Sequence, residues 1–165
     1  MRKITLWLAV VLLLLSFTGC RKNQQPRYAF YYLRTTDTIA FGQSDAVVAP
    51  VIREISGQSS DLTYLMRLYF DGPASENFQS PFPQGTQVLN ATLEGDLLIL
   101  EVSTQFSSLE NIRLTMAGAC LTATGYALTG AQSVQVDCEE ETYLFHRSDY
   151  TFLDVIDTQS GKESQ

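Results

Sequence analysis

Hydrophobic residues are distributed along this chain in three different ways. From Ile4 to Phe17, "ITLWLAVVLLLLSF" is almost wholly apolar and has no period. From Arg27 onward apolar residues alternate with polar ones or recur at helical spacing, and the last residues, "TQSGKESQ", are polar throughout. The middle region reads as a succession of elements. "RYAFYYLR" (Arg27–Arg34) is rich in aromatics, as a first strand should be. "DTIAFGQ" reads as a second short pairing, and "DAVVAPVIREI" as extended or partly helical, broken at Pro50. In "SSDLTYLMRLYFDGP", Leu62, Leu65, Met66, Tyr69 and Phe70 fall on one helical face. Ser59 or Ser60 can cap that helix, Asp61 suits its first turn, and Gly72 with Pro73 ends it.

The second half continues the pattern. "VLNATLEGDLLILEV" predicts a hairpin turning at Gly95-Asp96, with Leu98, Leu100 and Val102 on one face. "SSLENIRLTMAGACLTATGYAL" predicts a helix opened by a Ser107–Glu110 capping box. Its core stripe comprises Leu109, Ile112, Met116, Ala119, Cys120 and Ala123, and small Ala117, Gly118 and Ala119 allow close approach to a sheet. "GAQSVQVDCEEE" returns as a strand with Val134, Val136 and Cys138 inward, and "TYLFHRSDYTFLDVI" suggests a closing hairpin around Arg147 to Asp149. The order strand, helix, hairpin, helix, strand predicts an α+β fold, with two helices packed on one face of a mixed sheet and a C-terminal hairpin. The organisation is therefore residues 1–19 as a signal peptide, 20–27 as a tether, 28–157 as one domain and 158–165 as a polar tail.

The leading segment changes the picture of where this domain works. Arg2 and Lys3 precede an apolar run shorter than the roughly 20 residues of a spanning helix, which fits an export signal. The run ends in "FTGC", and small Thr18 and Gly19 before Cys20 resemble the lipobox of bacterial lipoproteins, with Phe17 in place of the usual Leu. That resemblance implies cleavage before Cys20, lipidation of its thiol, and anchorage at the extracytoplasmic face of the cell membrane through acyl chains. An uncleaved signal anchor is the competing reading. The chain carries 11 basic and 18 acidic residues, a formal net charge of −7, and loss of Arg2 and Lys3 makes the mature protein more acidic still. Nucleic-acid and anionic-lipid surfaces need clustered Lys and Arg, so both are excluded as partners of the domain.

The prolines then carry a second resemblance. "LYFDGP", "SPFPQGT", "LEGDLLILEVSTQF" and the small-residue helix leading to "SVQVDCE" resemble, in that order, the GerMN domain of sporulation and spore germination. Glu101-Val102-Ser103 stands where that family often has Asp-Leu-Ser. The resemblance implies a ring-building-motif-like fold and a non-catalytic interaction or assembly role in the cell envelope of Gram-positive bacteria, with an envelope protein or a second copy as partner. The protein that gives the domain its name has two copies, whereas this chain has one. Within the loop, the prolines stiffen the crossing from helix to strand, and Gly85 permits the tight entry.

Candidate chemistry is sparse. His146 is the single histidine, in the "FHRSD" turn, and no nucleophile motif or phosphate loop accompanies it. "DCEEE" (Asp137 to Glu141) lacks the spaced oxygens and glycine of a calcium loop, and "NAT" at Asn90 matches a glycosylation sequon of little meaning in a bacterial lipoprotein. Neither metal nor cofactor is expected, nor is enzymatic activity. Once Cys20 is lipidated, Cys120 and Cys138 remain, and two buried thiols are favoured over a disulfide. The alternative function is a lipid-anchored binder of a small ligand or cell-wall fragment, with Tyr31, Tyr32, Tyr64 and Tyr69 as contacts.

Overall fold

The computed structural model describes residues 25–35, 47–55, 61–139 and 141–150. The signal peptide, Cys20, "DTIAFGQ", Ser59, Ser60 and the tail therefore lie outside the described residues. The first strand, β1 (Arg27–Arg34), buries alternate Phe30 and Tyr32 and pairs antiparallel with β2 (Val48–Glu54). Pro50 does not break β2. It lies opposite Tyr31, between bonded pairs of the ladder, where a backbone N–H would face away from β1. On its other side β1 meets only the two residues of β3 (Phe78–Gln79), giving a three-stranded sheet in the order β2-β1-β3.

The first helix, α1 (Leu62–Phe70), is capped by Asp61 itself, whose carboxylate accepts from the Thr63 N–H at 3.0 Å. Leu65, Met66, Tyr69 and Phe70 are buried as the periodicity predicts, and Gly72 follows the helix at φ +97°. A second sheet has the order β4-β5-β6-β7: β4 (Val88–Glu94), β5 (Leu97–Val102), β6 (Ser133–Cys138) and β7 (Glu141–His146). β4 and β5 form the expected hairpin, with Glu94 paired to Leu97 across Gly95-Asp96 and Gly95 at φ +63°. β5 and β6 run parallel, linked by the long helix α2 (Asn111–Thr129).

The architecture is thus α+β with two helices and a mixed sheet, as the element order indicated, and it divides its strands between two sheets. α2 lies between them, touching β1 on one side and β6 and β7 on the other. Its residues Ala117 to Gly125 are all buried, so the helix is sealed around its whole circumference rather than along one stripe. Small side chains make this possible. A Cβ at Gly118 would collide with the Tyr150 hydroxyl and the Phe145 ring, and one at Gly125 would lie 3.1 Å from both Leu98 and Val134.

Two local expectations are corrected. Ser107 does not form a capping box: it belongs to a 3-10 turn (Thr104–Ser108), its hydroxyl donating to the Thr104 carbonyl at 2.8 Å, and the helix starts at Asn111 with no side-chain cap from Glu110. Ile112 is not in the core stripe. It is 68% exposed, in a first turn of α2 whose residues Asn111 to Arg113 all lie at the surface. Arg147–Asp149 forms a 3-10 turn whose exit, Tyr150, is buried on α2, while β7 forms its own hairpin with β6. The strand expected after Tyr150 falls outside the described residues.

The buried glycine has a measurable consequence. Gly118→Ala should cost about 1–3 kcal/mol, because Phe145 and Tyr150 must move off the helix. An unchanged urea midpoint would show that the α2–β7 contact is looser than described. At the loop, Gly85 adopts φ +84° with nothing near its missing side chain, so the strain of Gly85→Val is purely conformational. We expect a loss of about 1–3 kcal/mol there too, read as a lowered melting temperature.

Candidate functional site

The residues singled out in the sequence are not brought together. Tyr32 and Tyr69 are fully buried, Tyr31 is half-buried, and Tyr64 is 45% exposed. No tyrosine patch of these four therefore faces a ligand. The buried pair serves the architecture: the Tyr32 hydroxyl donates to the Tyr69 carbonyl at 2.9 Å, and the Tyr69 hydroxyl donates to the Tyr31 carbonyl at 2.8 Å. Burial pushes the Tyr32 hydroxyl up to about 12, the Arg53 guanidinium only partly opposing it, and burial likewise holds Tyr69 well above its ordinary value.

The thiols of Cys120 and Cys138 are both free and buried. Burial raises Cys120 far above the usual thiol range, which leaves little thiolate for chemistry. Cys138 donates weakly to the Ser103 carbonyl at 3.4 Å. His146 stands exposed at the end of β7, with Nδ1 2.9 Å from the Ser133 hydroxyl on the neighbouring strand. A serine and a histidine in contact invite a catalytic reading, but a working pair also needs a group to orient the imidazole and donors for an oxyanion. Among the described residues the Ser133–His146 pair has no carboxylate bonded to it. Asp137 accepts instead from Gln135 and from the Thr142 hydroxyl, and no group of three metal-ligating side chains occurs among the described residues.

What the described residues do form is a surface groove of mixed polarity, to which Gln79, Ser80 and Ser108 contribute beside apolar side chains. Phe82, between Pro81 and Pro83, is buried and stacks on Phe70 with ring centroids 3.9 Å apart. Its edge meets Tyr69 at 5.2 Å, so the proline loop is pinned into the core at one point. Pro81 is buried and Pro83 half-buried, and with Leu33, Leu109, Ile112 and Met116 they line an open depression of about 360 Å³. Arg113 supplies a positive group at its rim. Sequence reasoning treated the loop as architecture alone and Ile112 as core. The missed feature was the start of α2: with Asn111 at φ +50° opening the helix, Asn111, Ile112 and Arg113 are all exposed.

Comparison with known proteins agrees with the fold. Residues 29–143 match the model of the Germane family, described as sporulation and spore germination. The match spans more than half of the chain, and the protein belongs to that family. Among solved structures, the first GerMN domain of the sporulation protein GerM from Bacillus subtilis is similar at a TM-score of 0.55 and 14% identity, over 72% of this chain and 86% of that one. The tandem GerMN domains of the same protein are similar at a TM-score of 0.51 and 15% identity, over 75% of this chain and 43% of that one. At these identities the likeness concerns the fold. No curated protein matches the sequence. Among the described residues no helix is long and apolar enough to cross a membrane.

The buried tyrosines make alkaline stability a test of the core. An unfolded tyrosine ionises near 10, whereas Tyr32 in the fold does so at about 12. Between those values the unfolded chain releases protons that the native one keeps, so stability falls as pH rises from about 10 to 12. Tyr32→Phe should flatten that fall. The measurement is denaturant unfolding across this range; an identical slope for the variant would contradict the burial.

Proposed function

We propose that this protein is an extracytoplasmic lipoprotein, anchored through acyl chains on Cys20, whose Germane domain is a non-catalytic interaction module of the bacterial cell envelope. The observation that carries the reading is one of order along the chain: an export signal ending in "FTGC", then a short tether, then one family domain over residues 29–143. A domain held by lipid is confined to a plane, which raises its effective concentration for any neighbour there. The polar side chains inside the fold are spent on its own backbone, and the surface offers a groove of mixed polarity beside Ile112 rather than paired acid and base. Binding is what such a surface supports. Formation or germination of spores is the proposed setting, on the strength of the family and of the sporulation protein that shares the fold.

Two arms test this. Metabolic labelling with a fatty-acid analogue should mark the wild type and leave Cys20→Ala unlabelled; equal labelling of both refutes the anchor. Crosslinking in intact cells should recover a defined envelope protein, or a second copy, with the anchored form and much less with Cys20→Ala. Turnover of a cell-wall substrate by the purified protein, abolished by His146→Ala, would overturn the binding-module reading.

A further inference from the structure

Ile112 is an apolar side chain that the fold does not use. Among the described residues no large hydrophobic side chain is more exposed, and at 68% most of it is left in water. It also borders the groove, so the surface holds both halves of an apolar contact side by side. One half is the exposed isoleucine. The other is a depression lined by buried Pro81, Phe82 and Leu109 and by half-buried Leu33 and Met116. Two charges flank Ile112 in the chain, Glu110 before it and Arg113 after it, both exposed. The Arg113 N–H donates to the Glu110 carbonyl at 3.1 Å, but the two side chains form no ion pair with each other or, among the described residues, with any other group.

We propose that this patch is a two-fold contact between two copies of the chain, the Ile112 of each seated in the groove of the other. In a two-fold contact one surface must carry both members of every interacting pair, because residue i meets j and j meets i. This patch does so twice, once in its apolar halves and once in its charges. About an axis beside Ile112, Glu110 of each copy comes alongside Arg113 of the other. A purely acidic or purely basic segment of a different protein would answer only one of these charges. Such exposed ion pairs add little energy, and their effect is to fix orientation. Local charge also admits a second copy here. The chain has a formal net charge of −7, so two copies repel at most approaches, yet the groove lining contains Arg113 and no carboxylate. The contact names the partner of the interaction module. It rests on that reading only for the membrane plane, which concentrates the copies; the patch itself needs no anchor.

The test is crosslinking of the full-length protein in membranes with a flexible bis-maleimide. Ser108→Cys places a thiol at an exposed position in the groove lining, and Thr92→Cys places one at an exposed position on β4 as a control. Cys120 and Cys138 are buried, so the wild type reports the background. Ser108→Cys should give several-fold more dimer than Thr92→Cys. Adding Ile112→Ser should remove most of that excess, as should adding Arg113→Glu, which sets acid against acid. Combining Arg113→Glu with Glu110→Arg should restore the dimer, a rescue that general damage to the fold would not produce. The same pattern in the Cys20→Ala background, in detergent at raised concentration, supports the contact even if lipid labelling fails. The contact is refuted if Ser108→Cys gives no more dimer than Thr92→Cys, if the dimer survives Ile112→Ser, or if the charge swap fails to restore it. An adduct with a different protein in place of the dimer overturns it in favour of a heterologous partner.

Discussion

The fold turns on the backbone of Tyr31. Its position in β1 faces away from β2, toward the side where β3 pairs only with Leu33 and Arg34. An extended strand left there would bury an unsatisfied donor and acceptor, each costing about as much as a lost hydrogen bond. The helices supply what a strand would have. Thr124 of α2 accepts from the Tyr31 N–H at 2.9 Å, and Tyr69 of α1 donates to its carbonyl at 2.8 Å. One residue thus ties the first sheet to both helices, and the chain has no freedom to slide either helix along β1 without opening these bonds. The aromatic cluster of Phe30, Tyr32, Tyr69, Phe70 and Phe82 then packs around that joint.

The same substitution of side chain for strand recurs at β4, where Thr63 and Arg67 cover the edge. Arg53 does comparable work at the end of α1, donating to the carbonyls of Leu68 and Gly72 while lying over the Phe30 ring. Exposed pairing contributes little beside this. The ion pair of Arg27 with Glu54 is largely solvated and is worth a fraction of a kcal/mol.

Much of this was legible in the residues because local signals and burial agree. β1, the helical face of α1, the Gly95-Asp96 hairpin and the inward Val134, Val136 and Cys138 all follow from alternation or helical spacing. The errors arise where spacing carries no information. Nine consecutive residues of α2 are buried, so a stripe could not be read from its small side chains, and Ile112 was placed in the core by extending a period past the point where the sheets end. A tyrosine on a strand or helix looks the same in sequence whether its hydroxyl meets solvent or a distant carbonyl, so nothing in the pattern marks Tyr32 and Tyr69 as core residues rather than ligand contacts. The division into two sheets was hidden for a related reason: side chains from α1 and α2, not strands, complete β1 and β4, and no sequence pattern marks a hydrogen bond between Tyr31 and Thr124, 93 residues apart.

Sealing α2 on every side also determines where a partner can be met. A helix buried around its middle offers no face of its own to a neighbour, so the part of α2 open to any partner is its exposed first turn. That turn carries Ile112 and Arg113 beside Pro81 and Pro83, whose fixed φ angles hold the rim without the entropy a flexible loop would lose on binding. The loop is in turn held by Phe82 stacked on Phe70, one turn from Met66 on the same face of α1. The groove is therefore the outer side of the core, and its shape depends on the packing that satisfies Tyr31.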